Sequence, residues 1–418
     1  LQSCLFQEEN YFDDSSANRA TADVSRCGEL LKGAPNGWVM EYYVGKDYSL
    51  GGITLLCRFD GQRVTMASQM AEADETVSSL YSVKSEQATM LSFDTYNYLV
   101  HYFGQPQGSM SDDPNGTLGG DYEFIISSAS ADCVELKGKK YGNRIVMKAL
   151  SEDQTWKQYL TRIKKVEDDA FFYEYDLRMD GLYTGQMLRS NYTFIVTYYD
   201  EVGKVYQKTV PFMFTTDGMR FHEPVTIDGQ TMQNFVWKNE EISFVCTDEG
   251  ATGVKMKGIY IDGYQSYDYY PGTYLMDFYR LNGATNQLEV ASQEIQLVEN
   301  EDGKSYWLKG LEYDILVTYD KPRGGLSILP QFLKKVQGGY VYLAMWDLMN
   351  DYVLRSSAIG LISYPTTDGI YLVDNGVWMG EISGFIFGVY DSQDEEASFM
   401  GYTDAVAAIR LIKKTIEE

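Results

Sequence analysis

The chain reads as mainly β, built as two or three antiparallel modules, the first a lipocalin-like barrel or sandwich. Three observations predict this. At 418 residues it is longer than one ordinary core. Its apolar residues fall at alternate positions in short runs separated by turn residues, with few helix-period stretches between them. Its 35 tyrosines help raise the aromatic share to 14%, a composition suited to half-buried pleated surfaces.

The first element is a helix near residues 15–32. Asp14 or Ser15 can cap it, and Ala17, Ala20, Val24, Cys27 and Leu31 recur at three- and four-residue intervals. Gly33, Pro35 and Gly37 end it. Its stripe of small residues is expected to lie close over an end or side of the first sheet. From Gly37 the period becomes two. Trp38–Val44, Gly51–Phe59, Arg63–Met70, Ser79–Val83, Thr89–Phe93 and Tyr98–Phe103 read as strands, with Asp60-Gly61 as a hairpin turn. After a polar loop over Gly104–Gly120 come Tyr122–Ser127, Cys133–Lys137 and Arg144–Lys148. Strands joined by short turns pair antiparallel, and such a run closes into a barrel or folds into two layers.

A second helix is expected near 152–166, with Trp156, Leu160 and Ile163 on its apolar face. It marks a module boundary. Strands then resume at Phe171–Leu177, Tyr192–Tyr199, Val205–Phe214, Met219–Pro224 and Phe235–Cys246. Residues 248–270 are rich in Gly and Tyr, lack a clean period, and read as a linker. A third strand series runs from Gly272 to Tyr390. A last helix over 403–416 is expected from the spacing of Val406, Ile409, Ile412 and Ile416. The division is a leader over 1–14, a helix plus lipocalin-like domain over 15–150, a helix-led middle β-module over 151–250, and a C-terminal β-domain over 251–418.

The chemistry is sparser. A net charge of −25 repels phosphates, so nucleic acid is a poor partner. The five cysteines have no CxxC or Cys/His ligand spacing, so no metal or other cofactor is expected, and buried free thiols are the reading for Cys27, Cys57, Cys133 and Cys246. No apolar run reaches the ~18–20 residues of a membrane-spanning helix. The two histidines, His101 and His222, lie in no catalytic motif. Asp112–Gly116 fails as an EF-hand because Ser111 and Tyr122 stand where acids are needed. Gly138–Gly142 reads as a basic hairpin, with a phosphate nest as the lesser alternative. Glu123, Glu174 and Asp176 lie on strands, and alternation is expected to face most of them to solvent. The best binding candidate is the group Tyr264, Tyr267, Tyr269, Tyr270 and Tyr274, whose rings could stack on a sugar or grip a peptide, or else plug a joint between β-domains.

Leu1-Gln2-Ser3-Cys4 has the form of a bacterial lipobox, an aliphatic residue and a small one before Cys. Cys4 is then the expected lipidation site, and the acidic stretch Gln7–Asp14 a tether. Phe12-Asp13, Ser16-Ala17 with Arg19, Asn36-Gly37-Trp38 with Glu41-Tyr42, Phe93-Asp94-Thr95-Tyr96-Asn97, Asp121-Tyr122-Glu123-Phe124 and Gly138-Lys139-Lys140 together resemble a Bacteroidetes lipoprotein family, a domain of unknown function of about this length. The resemblance implies a cell-envelope lipoprotein on the outer membrane, made alongside outer-membrane uptake proteins. It brings no site residues. The expectation is therefore a non-enzymatic, surface or periplasm-facing binder of glycan or peptide. The alternatives are an envelope hydrolase with spatially assembled carboxylates and a carrier of a small apolar ligand.

Overall fold

The strand Trp38–Val44 sets the plan of the first half. Trp38, Met40, Tyr42 and Val44 point inward, where they meet Leu55, Cys57, Phe59 and Phe124 in one apolar core. A computed structural model describes residues 16–106, 116–200, 202–394 and 396–414. It is mainly β and antiparallel throughout, and divides into two units, one through Ile259 and one from Tyr260.

In the first unit, eight strands pair in chain order and close into a barrel: Trp38–Val44, Gly51–Phe59, Arg63–Ser68, Val77–Ser85, Thr89–Phe93, Glu123–Ala129, Cys133–Gly138 and Arg144–Ala149. Trp38 lies opposite Ala149 and Glu41 opposite Val146 at the closure. The helix Ser16–Lys32 lies against this barrel with Cys27 and Leu31 buried, and the Trp38 indole donates to the Leu31 carbonyl at 2.8 Å.

The helix Trp156–Asp169 follows. Thr155 caps it with a reciprocal bond to Gln158, and Leu160, Ile163 and Val166 are buried. It starts a few residues later than the spacing predicts because Thr155 is its cap. A second closed barrel comes next: Glu174–Met179, Leu182–Ser190, Thr193–Tyr199, Val205–Phe214, Gly218–Ile227, Gln230–Lys238, Ser243–Cys246 and Val254–Ile259. The last strand returns to the first, with Val254 opposite Met179. Part of the stretch expected as a linker over 248–270 is therefore the closing strand of this barrel. Both interiors are filled with large side chains, Trp38, Tyr42, Phe93 and Phe124 in the first and Tyr175, Phe194, Phe212 and Phe221 in the second.

The second unit is a 12-stranded sheet. Eight of its strands, from Gly272–Asn282 round to Phe399–Lys413, form a ring closed by Tyr274 opposite Lys413. The long strand Phe399–Lys413 also pairs with Gly384–Tyr390, which continues through Gly339–Asp347 to an edge at Gln331–Val336.

Two sequence expectations are corrected. The helix expected over 403–416 is this seam strand as far as Lys413, and residues 415–416 lie outside the described residues. It is buried on both sides, with Ala405 and Ala407 in one cluster and Val406, Ile409 and Leu411 in another. A bulge at Ala408, with φ 51°, shifts the phase by one residue. Val406 and Ile409 then face the same core at a three-residue spacing that mimics a helix. Tyr98–Phe103, expected as a strand, forms the short helix Tyr98–His101. Asn97 caps it by accepting from the Leu99 amide, and Leu99, Val100 and Phe103 share the buried side. Local capping overrides the β preference of its aromatic and branched residues.

Candidate functional site

Strand alternation places the outward side chains of both barrels against each other. On Trp38–Val44 the outward residues are Val39, Glu41 and Tyr43. On Cys133–Gly138 they are Cys133 and Glu135, and on Arg144–Ala149 they are Arg144, Val146 and Lys148. The second barrel contributes Arg220 and His222 from Gly218–Ile227, with Gln233 and Asn234 from the next strand. Apart from Val39, these residues line a half-open cleft of about 430 Å³. That volume lies within the ~300–1,000 Å³ of small-molecule sites.

Five side chains here carry charge. Lys148 Nζ lies 2.8 Å from Glu41, and Arg220 pairs with the same carboxylate from across the junction. Arg144 lies 2.6 Å from Glu135. Three cations thus meet two carboxylates on a chain whose net charge is −25. Burial opposes the Arg220 charge, but the Glu41 carboxylate outweighs it and the guanidinium's pKa is raised. His222 is seated between the rings of Tyr43 and Tyr48, at 4.3 and 4.0 Å between centroids. Burial, the largest influence, holds the imidazole below its ordinary pKa. Tyr43 is buried, and its hydroxyl feels the nearby Arg220 charge yet makes no hydrogen bond of acceptable geometry. Its phenol is pushed well above the usual range, chiefly by burial.

A second cavity of about 350 Å³ lies beside the first. Val39, Thr54, Leu150, Tyr159 and Met213 line it, and it shares Glu41, Lys148 and Arg220 with the larger cleft. The ion-paired triad is the wall between the two spaces.

The residues that carry the family resemblance are mostly structural. Asn36 donates to the Ser151 and Gln154 carbonyls at 2.7 and 2.8 Å, tying the start of the first barrel to the inter-barrel helix. Tyr42 donates to the Asp121 carbonyl at 2.8 Å. The Asp121 carboxylate accepts from the Lys140 and Tyr141 amides at 2.7 and 3.1 Å, so the chain's own carboxylate occupies the Gly138–Gly142 turn. A Cβ on Gly138 would overlap that carboxylate. Among the described residues of this set, Glu41 alone reaches the cleft.

A family model described as a domain of unknown function, DUF4302, matches residues 8–239, more than half of the chain. The chain belongs to the DUF4302 family. A second model, DUF4987, also a domain of unknown function, matches residues 247–386. The DUF4302 match spans the first barrel and most of the second, including every residue of the cleft. No curated protein matches. Among solved structures, a protein of unknown function from the DUF3598 family of Nostoc punctiforme is similar at 7% identity and a TM-score of 0.16, covering 59% of this chain and 99% of that one. Similarity at that level carries no argument.

The tyrosine group lies in the second unit and is largely interior. Tyr270 and Tyr274 are 1% and 0% exposed. Tyr270 donates to the Gly324 carbonyl, Tyr274 to the Tyr270 carbonyl and Tyr267 to the Ser305 carbonyl, at 2.7–2.9 Å. Tyr264 is half-buried beside Tyr319, and Tyr269 is exposed, with Lys413 over its ring. These rings close an end of the third ring rather than forming an open platform. His101 is satisfied by Asn97 and stacks on Tyr122. Glu123 pairs with Lys84 and Lys139 on the first barrel, whereas Glu174 and Asp176 lie two residues apart on the outward face of Glu174–Met179, where Glu174 accepts from Gln186 and Asp176 pairs with Arg178. The four described cysteines are free; Cys27, Cys57 and Cys246 are buried and Cys133 is half-buried at the cleft. Among the described residues no group of three or more His, Cys, Asp or Glu could hold a metal ion, and no helix is long and apolar enough to cross a membrane. Cys4, the Gln7–Asp14 leader and Asp112–Asn115 lie outside the described residues.

The cleft was not apparent from the sequence because alternation marks Glu41, Arg220 and His222 only as outward-facing. One available signal was Trp38–Val44 itself, whose apolar residues occupy both faces and so require cover on both.

Proposed function

We propose that the chain is a non-catalytic ligand-binding lipoprotein of a Bacteroidetes-type cell envelope, anchored through Cys4, and that its binding site is the cleft between the two barrels. One observation carries the choice of site. Charged, amide and aromatic side chains from two separate barrels converge on a half-open cleft that neither barrel needs for its own core. The cleft carboxylates are each engaged by cations, an arrangement suited to recognition more than to proton transfer. Among the described residues the interiors of the first two barrels are filled with large side chains, which weighs against the carrier reading there. The ligand would be a glycan or peptide fragment presented to outer-membrane uptake proteins.

The test is a glycan and peptide array probed with the chain and with its Arg144→Ala/Gln233→Ala variant. A ligand captured by the parent and lost in the variant is the expected result. A ligand whose capture is unchanged in the variant, or no ligand on either array, refutes the site. The anchor is tested separately: Cys4 should take up labelled palmitate in cells, and Cys4→Ala should be released from the membrane fraction. An unlabelled parent refutes it.

A further inference from the structure

The three residues shared by the two cavities point to what the ligand carries. Glu41, Lys148 and Arg220 form the only residues common to both linings. Glu41 comes from the first barrel and Arg220 from the second, so their ion pair crosses the junction. Resting on the cleft as the ligand site, we propose that Glu41 is a resident stand-in for a carboxylate on the ligand. A small organic acid entering the larger cleft takes Arg220 from Glu41, and the displaced wall joins the two spaces.

The geometry and the charge balance of the cleft support the exchange. Arg220 already holds a carboxylate in a largely desolvated setting, so the pocket is built for that group. Exchanging one carboxylate for another keeps the guanidinium paired, avoiding the cost of a bare buried charge. Glu41 keeps a partner after it moves, because Lys148 is half exposed and free to follow it. Arg144, exposed at the rim, provides a further donor beside the same space. The cleft lining holds three cations to two carboxylates, a local excess of positive charge on a strongly acidic chain. The same chemistry serves a sugar acid and a peptide C-terminus.

The experiment is calorimetric titration of the full chain with glucuronate, its neutral twin glucose, and the dipeptide Ala-Ala. The parent should bind one or both acids in preference to glucose; which acid binds identifies the source of the carboxylate. Glu41→Gln removes the internal competitor and should bind the same acid at least about tenfold tighter, the equivalent of about 1.4 kcal/mol. An affinity unchanged or weakened in Glu41→Gln, or no acid bound by either protein, overturns the proposal. Equal binding of glucose and glucuronate also overturns it, while leaving the cleft as a ligand site intact if the array ligand depends on Arg144 and Gln233. Should Glu41→Gln fail to fold by circular dichroism, Arg144→Gln decides. It leaves the Glu41–Arg220 pair in place and should weaken the acid severalfold with an unchanged melting temperature; an unchanged affinity overturns the proposal.

Discussion

Replacing Tyr274 separates a structural tyrosine cluster from a binding one. Its ring is fully buried, and its hydroxyl donates to the Tyr270 carbonyl at 2.7 Å. Tyr274→Phe keeps the ring and leaves that buried carbonyl short of a donor, a cost of about 1–2 kcal/mol. Tyr274→Ala also empties a ring-sized space between the Gly272–Asn282 strand and its neighbours, for about 3–5 kcal/mol. For a unit of this size these losses correspond to melting shifts of roughly 2–8 °C and 6–20 °C. Hydrogen exchange read by mass spectrometry on the full chain localises the effect. Peptides from Tyr260 onward should lose protection in proportion to the two substitutions, while those from 16–259 keep theirs. Full protection in Tyr274→Ala together with loss of array ligands would refute the structural reading and restore the tyrosines as a binding surface.

Two further perturbations test the first unit. Gly37 has φ +77°, and a Cβ there would lie 2.5 Å from the Cys57 carbonyl oxygen and 3.1 Å from the Trp156 ring. Gly37→Ala should therefore cost about 2–3 kcal/mol, read as a lower urea midpoint with altered Trp156 emission; an unchanged midpoint contradicts the close approach. For His222, burial favours the neutral ring, with Glu223 and Glu41 acting against it and Arg144 and Arg220 for it. The unfolded chain thus takes up the proton first as pH falls below about 6.5. The stabilisation is complete above that value and is lost as pH drops toward the lower, folded pKa. Melting temperature should fall as pH drops below about 6.5, and His222→Asn should flatten that slope; an identical slope contradicts the assignment.

The class of fold was legible because antiparallel barrels leave a local trace: apolar residues at every second position, punctuated by turns. What the local trace misses depends on partners distant in sequence. The Ala408 bulge converts a two-sided seam strand into a helix-like spacing, and nothing within residues 403–416 reveals the second sheet that covers it. The Asn97 cap turns an aromatic, branched run into a helical turn. Leu182–Ser190 was overlooked as a strand because its Gly185 and polar residues give a weak pattern, although it completes the second barrel. The cleft was hidden for a related reason. Period two shows that Glu41 and Arg220 point away from their own cores, but only the packing of one barrel on the other makes that outer face interior. Conversely, the tyrosine cluster was conspicuous in sequence because aromatic density is visible residue by residue, whereas its burial is not.

The most direct trial of the inter-barrel site is a crystal structure of the full chain with the organic acid that binds it best. The ligand carboxylate should sit within hydrogen-bonding distance of Arg220, with Glu41 turned toward Lys148 and the two cavities continuous. Density for the acid elsewhere on the chain, with the Glu41–Arg220 pair intact and the cleft empty, would contradict it.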